Sequence, residues 1–237
     1  MTLEHKPMPW DERVAEWMRQ NAAPDVVPLG PEMIWTDIET TGLDENTGMI
    51  LEVACMVTDR YGYVLGSFET LVRDSHYQPE TTRQGCIDFV QTMHDKSGLW
   101  DLIDQASIHT WSVSDAYQAL EDFLEDFFPT PVARENLLPL SGSSVHFDRK
   151  WMEHHFPGLL SQWTSHRDID VSSTKEQIKL HNPDLMAHLE NFWTPISAHR
   201  GTPDLIDSIM EYRFQIAEFF WTRENAEGFE AVLGHHA

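Results

Sequence analysis

Ile34-Trp35-Thr36-Asp37-Ile38-Glu39-Thr40-Thr41-Gly42-Leu43-Asp44 is an apolar strand that presents two carboxylates before a Thr-Thr-Gly turn. Residues i and i+2 of a strand share a face, so Asp37 and Glu39 project together while Ile38 points into a core. Two carboxylates side by side in a partly buried setting repel each other. Relief comes from protonation of one or from a hard divalent cation. Taken alone, the segment also fits a strand edge with two solvated acids. The rest of the chain decides between the two.

Two more strand-like runs follow at 49–58 and 63–71, joined by Asp59-Arg60-Tyr61-Gly62. With 33–38 they predict an antiparallel meander. From about residue 81 the periodicity turns helical, over 82–93, then 97–106 with Ser97 as an N-cap. A third helix is predicted over 112–127, where Val113, Ala116, Leu120, Phe123, Leu124 and Phe127 recur at helical spacing until Phe128-Pro129-Thr130-Pro131 stops it. A fourth strand at 137–141 leads through Gly142 into a helix carrying Asp148, Trp151 and Met152, and a fifth at 168–171 feeds a helix from about Ser172. The segment 180–194, rich in His, Asn and Trp, has no clear period and receives no assignment. A last helix runs from Pro203, a favourable first-turn residue, to about 223. The pattern predicts an α/β layer fold built on a five-stranded mixed sheet flanked by helices. Residues 1–30, with a short helix at 10–20 and a Pro-containing connector, read as an arm that packs on the surface or frames an entrance. Residues 31–237 read as a single domain.

Composition narrows the function classes. The 237 residues are 41% apolar and 23% charged, enough to bury a sizeable core. There is no apolar run of transmembrane length, and Met1-Thr2-Leu3-Glu4-His5-Lys6 lacks the basic-then-apolar pattern of a signal peptide, so the expected location is a cytoplasm, with no membrane partner. Cys55 and Cys86 fit a reducing compartment, and neither lies in a CxxC pair. The net charge of −23, from 16 Lys+Arg against 39 Asp+Glu, argues against gripping a long polyanion along a basic stripe. A nucleic-acid substrate would have to be short, or held in a small pocket where metal ions supply the positive charge.

Two later acids stand at helix starts that point toward the edge carrying Asp37 and Glu39. These are Asp148, after the fourth strand, and Asp204, in the last helix. His199 precedes Asp204 by five residues, in a loop able to swing an imidazole over the carboxylates. Singly, a helix-start Asp usually does no more than complement the helix dipole, and one of 13 histidines signals little. As an ordered set they carry more weight. Together with Ile50-Leu51-Glu52-Val53-Ala54, Val57-Thr58-Asp59, His94-Asp95-Lys96-Ser97-Gly98-Leu99, Gly142-Ser143-Ser144-Val145-His146-Phe147-Asp148-Arg149 and Asp170-Val171-Ser172, the chain resembles, over roughly 33–223, the DEDD-type 3′→5′ exonucleases with a histidine base. Within that group it is similar to the oligoribonucleases.

The resemblance implies a ribonuclease H-like exonuclease fold and a two-metal hydrolysis of phosphodiesters. Asp37, Glu39, Asp148 and Asp204 would hold two ions roughly 3.5–4 Å apart, and His199 would be the general base. Oxygen-only ligands suit Mg²⁺ or Mn²⁺. The resemblance further implies a very short RNA substrate, dinucleotides favoured. Leu43 and Phe89 would wedge its bases, and Ser144, Arg167, Ser172 and His94 would cap its 5′ phosphate. Phe89 stands where the family has Trp, and His166 where it has a Tyr contributed by the partner subunit of a homodimer. Ordinary readings stand beside these: rim apolars for Leu43 and Phe89, helix caps and a surface ion pair for the polar set. Competing functions are a broader single-stranded DNA or RNA exonuclease, a non-catalytic interaction protein on this fold, and a metal-dependent phosphatase. The spacing of His199 and Asp204, joined to Asp37-x-Glu39, favours the exonuclease over the last.

Overall fold

Alternation along the first strand divides the molecule into two faces. In β1 (Met33–Thr40), Ile34 and Ile38 enter one core cluster, while Met33 and Trp35 enter another on the opposite side of the sheet. Asp37 and Glu39 share the parity of Met33 and Trp35, and so continue the second face toward the strand's end. The structure, a computed structural model, describes residues 12–22, 30–105, 110–128, 132–196 and 199–220.

The predicted meander is present: β2 (Ile50–Thr58) pairs antiparallel with β1, and β3 (Val64–Val72) antiparallel with β2. Its turn is held by Asp59, whose Oδ1 accepts from the backbone N–H of Tyr61 and of Tyr63, with Gly62 left-handed at φ 80°. Beyond β1 lie β5 (Leu138–Gly142) and β6 (Thr164–Asp170), both added in parallel. A two-residue strand, β4 (Thr110–Trp111), adds parallel to β3, so the sheet has six strands in the order β4-β3-β2-β1-β5-β6. The five expected strands are all there. The sixth is too short for a period of two to mark it.

On the face of Ile34 and Ile38 pack α5 (Val113–Glu125) and α6 (Val145–His155), through Ala116, Leu120 and Leu124 and through Trp151 and Met152. The start of α5 is a capping box: Ser112 Oγ accepts from the Asp115 N–H, and Asp115 answers the Ser112 N–H, each at 3.2 Å. On the other face lies α9 (Gly201–Phe220), whose Leu205, Ile206, Ile209 and Met210 cover Trp35, Ala54 and Met56. Val14 and Trp17 of α1 (Glu12–Asn21) join the same cluster, so part of the expected arm is bound into the core.

Two helical expectations are corrected. Residues 82–93 do not form one helix; the segment is divided between α2 (Pro79–Gly85) and α3 (Asp88–Ser97), because Cys86 and Ile87 are extended. The helix expected over 97–106 with Ser97 as its N-cap is the second: Ser97 closes α3, left-handed Gly98, φ 71°, ends that helix, and α4 (Leu99–Gln105) begins beyond it. The unassigned segment contains α8 (Pro183–Phe192), which follows α7 (Val171–His181). Asn182 caps α8 ahead of Pro183, and Leu185 and Leu189 bury their shared side against Ile178 and Phe214.

Candidate metal centre and catalytic site

Three carboxylates converge where β1 meets the start of α9. Ligand oxygens of Asp37, Glu39 and Asp204 lie within 4.8 Å of one another. Strand parity aims the first two at α9, and Asp204 sits in that helix's first turn, at the positive end of the helix dipole. Asp148, buried in α6, stands beside the trio: its Oδ1 accepts from the Ile38 N–H at 2.9 Å, between the two strand acids.

The electrostatics fit a cation site. Burial holds the Asp37 carboxyl well above its usual range, and Asp148, Asp204, Glu39 and Glu52 push it further. Burial raises Glu39 in the same way, with Glu52 and Asp204 adding to it and Arg200 pulling back. Asp148 is raised by burial, against the pull of its hydrogen bond from Ile38. So dense a set of anions stays charged at neutral pH only with compensating positive charge, and carboxylate oxygens at this spacing fit hard divalent ions.

His199 lies in the loop before α9, exposed and with left-handed backbone at φ 48°. With Asp37 and Asp204 it lines a cavity of about 600 Å³ that continues past Ser143 and Lys175 to Lys179 and Trp193. The next residues turn inward. Arg200 forks onto Glu52, with Nε 2.9 Å from Oε2 and Nη2 2.6 Å from Oε1. The Gly201 N–H donates to Glu52 Oε2 at 3.0 Å, and the Thr202 N–H to Glu69 Oε1 at 2.9 Å. A Cβ on Gly201 would stand 2.5 Å from that of Ala54, so only glycine brings the helix this close to β2. Glu52, Glu69 and Arg200 were not among the sequence candidates. Their signal was Glu52 as the sole charge in the run 50–58, an acid that needed a buried partner.

The remaining candidates divide. Leu43 and Phe89 are 71% and 68% exposed, free to meet a ligand. Leu43 lines a groove with the exposed Ile87. Ser144 and Ser172 meet: the Ser144 N–H donates to Ser172 Oγ at 3.0 Å and to Asp170 Oδ1 at 3.1 Å, and the two hydroxyls are 3.2 Å apart. Ser144 holds a left-handed φ of 55° to do so. Arg167 and His166 are exposed on β6, and among the described residues neither side chain bonds to Ser144 or Ser172. His94 is corrected. It is fully buried, its Nε2 is 2.9 Å from the Thr40 carbonyl oxygen and its Nδ1 is 3.8 Å from Glu39 Oε2, so it supports from within the end of β1 that carries Asp37 and Glu39, and is closed off from a phosphate. Burial lowers its pKa, which favours the neutral ring there.

The chain is 32% identical over 187 residues to the oligoribonuclease of Chromobacterium violaceum, covering 79% of this chain and 94% of that protein. It is 33% identical over 198 residues to the oligoribonuclease of Corynebacterium efficiens, covering 83% of each. Against the mitochondrial oligoribonuclease of Homo sapiens it is 31% identical over 188 residues, 78% of this chain and 72% of that one. Among solved structures, E. coli exonuclease I in complex with single-stranded DNA superposes with a TM-score of 0.57 at 13% identity, over 86% of this chain and 43% of that longer one. At that identity the likeness speaks for the ribonuclease H-like exonuclease fold alone. No protein-family profile matches the chain.

Proposed function

The chain belongs to the oligoribonuclease family and is a 3′→5′ exoribonuclease, and from that premise we propose that it hydrolyses short oligoribonucleotides, dinucleotides favoured, to nucleoside 5′-monophosphates. The observation that supports this best is the convergence of Asp37, Glu39 and Asp204 beside a loop that presents His199. Asp37, Glu39, Asp148 and Asp204 would hold two Mg²⁺ or Mn²⁺ ions. When bound, such a pair supplies an activated water on one side of the phosphodiester and charge stabilisation for the departing 3′ oxygen on the other.

The protein's own groups do the rest. His199 takes the proton of the attacking water as general base. Leu43 and Phe89 hold the bases by apolar contact and stacking. Ser144, Ser172 and Arg167 bind the 5′ phosphate, and His166 of a second copy completes that cap in a homodimer. Residues 31–237 are the exonuclease domain, with 1–30 as its arm. A cytoplasmic location belongs to the same reading; among the described residues no helix is long and apolar enough to cross a membrane.

One observation favours a second reading, a broader single-strand exonuclease. The cavity runs on from the carboxylates past Lys175 and Lys179, leaving room for further nucleotides. A time course on 5′-labelled RNAs of two to ten nucleotides, beside a DNA ladder, separates the two. Strong preference for the dinucleotide is the expected result. Equal or faster trimming of long strands would keep the metal chemistry and discard the cap. Light scattering of the eluted enzyme tests the dimer, and a monomer fully active on dinucleotides would contradict the shared site.

A further inference from the structure

The loop that delivers His199 is tied to the sheet by buried charge. Arg200 is 6% exposed and Glu52 fully buried, and they meet through one guanidinium edge, Nε to Oε2 at 2.9 Å and Nη2 to Oε1 at 2.6 Å. The same Glu52 Oε2 also takes the Gly201 N–H at 3.0 Å, and Glu69 Oε1 takes the Thr202 N–H at 2.9 Å. The opening amides of α9, which a helix cannot satisfy internally, are thus met by acids from two strands. Glu52 faces Glu39 across the β1–β2 ladder, so the anchor and a metal ligand sit side by side on one rigid element.

His199 needs such an anchor. Its backbone is left-handed, a conformation uncommon outside glycine that persists where the surroundings hold it, and its imidazole is exposed. A base displaced by about 1 Å loses on the order of 100-fold in rate. We infer that Arg200 and Glu52 are positioning residues, whose buried bidentate pair fixes the His199–Gly201 backbone so that the imidazole stands over Asp37 and Asp204. The inference rests on His199 being the general base. Lysine replaces Arg200 only in part, because a single ammonium keeps the charge but cannot reproduce the planar fork.

The test is steady-state hydrolysis of an RNA dinucleotide by the full chain at saturating Mg²⁺. Arg200→Gln should lower kcat by about 100-fold and leave KM within about three-fold, since substrate is untouched. Arg200→Lys should recover part of that loss. In a His199→Ala background, Arg200→Gln should cost at most about three-fold more, because residues acting as one unit are not additive. A full 100-fold loss repeated in that background, or a change in KM alone, would overturn the inference. Should Arg200→Gln fail to fold, as removing one partner of a buried pair can cause, Glu52→Gln takes its place. It keeps an acceptor for the Gly201 N–H and should show the same kcat-only, non-additive loss; a folded Glu52→Gln with wild-type kcat would contradict the assignment. His199→Ala with undiminished kcat would instead show that the general-base reading has failed, and the positioning role with it.

Discussion

The two ends of the site are built differently. On the α9 side, Asp37, Glu39 and Asp204 converge among buried residues, and the loop behind them is fastened by Arg200, Glu52 and Glu69. On the β6 side, Ser144 bonds to Ser172, while His166 and Arg167 stand exposed on an edge strand. The first region is preorganised by the fold before any substrate arrives. The second offers exposed polar groups, which in the proposed cap a phosphate or a second copy would order. Chemistry placed on the rigid side should be intolerant of change, and length selection on the open side should be adjustable.

Substitution of the rigid side should give the largest effects. Asp37→Asn or Asp204→Asn should lower kcat by about 1,000-fold or more, the scale on which groups that stabilise transition-state charge act. His199→Ala should cost about 100- to 10,000-fold, the range for a positioned general base. Single-turnover rates on a labelled dinucleotide measure both. A loss below ten-fold in either would erase the contrast between the regions.

The rim should give intermediate effects. Base stacking contributes about 1–3 kcal/mol per base, so Phe89→Ala should lower kcat/KM by roughly 5- to 150-fold. Phe89→Trp should preserve or raise it through the larger ring. On the open side, Ser144→Ala and Ser172→Ala should each cost only several-fold, about 1 kcal/mol for one hydrogen bond. That loss should appear with 5′-phosphorylated dinucleotides and vanish with 5′-hydroxyl ones. Equal loss on both would remove the serines from the cap.

The smallest effect is on stability. Asp37, Glu39 and Asp148 are held above the usual carboxylate range in the folded chain. Above about pH 4 the folded state therefore binds more protons than the unfolded one, and metal-free stability falls as pH rises. In EDTA at pH 7.5, Asp37→Asn should melt above wild type, by about 2–4 °C for each kcal/mol of repulsion removed. The gap should close below about pH 4, as the acids become protonated in the unfolded state as well. Differential scanning fluorimetry across pH reads this directly, and a gap that widens toward acid would reverse the sign.

Much of this was legible in the chain because it is written in local periodicity. Strand parity put Asp37 and Glu39 on one face, and helix-start positions placed Asp148 and Asp204 at the same edge. What was missed depends on tertiary partners. Glu52 and Glu69 take their meaning from α9, which follows them by more than a hundred residues. His94 reads as a surface polar group at the end of α3 until packing buries it beside Trp100. The two-residue β4 has no periodicity to read, and the break between α2 and α3 at Cys86 and Ile87 follows Gly85, a lone glycine that a helical pattern can also tolerate.

The most direct single measurement is hydrolysis of a 5′-labelled RNA dinucleotide by enzyme stripped with EDTA and then titrated with Mg²⁺ or Mn²⁺, wild type beside Asp204→Asn. Activity absent after stripping, restored by either ion in the wild type and not restored in the variant, is the expected result. Hydrolysis that survives stripping, or an Asp204→Asn enzyme that recovers wild-type turnover with metal, would contradict the assignment of these carboxylates as the centre of the reaction.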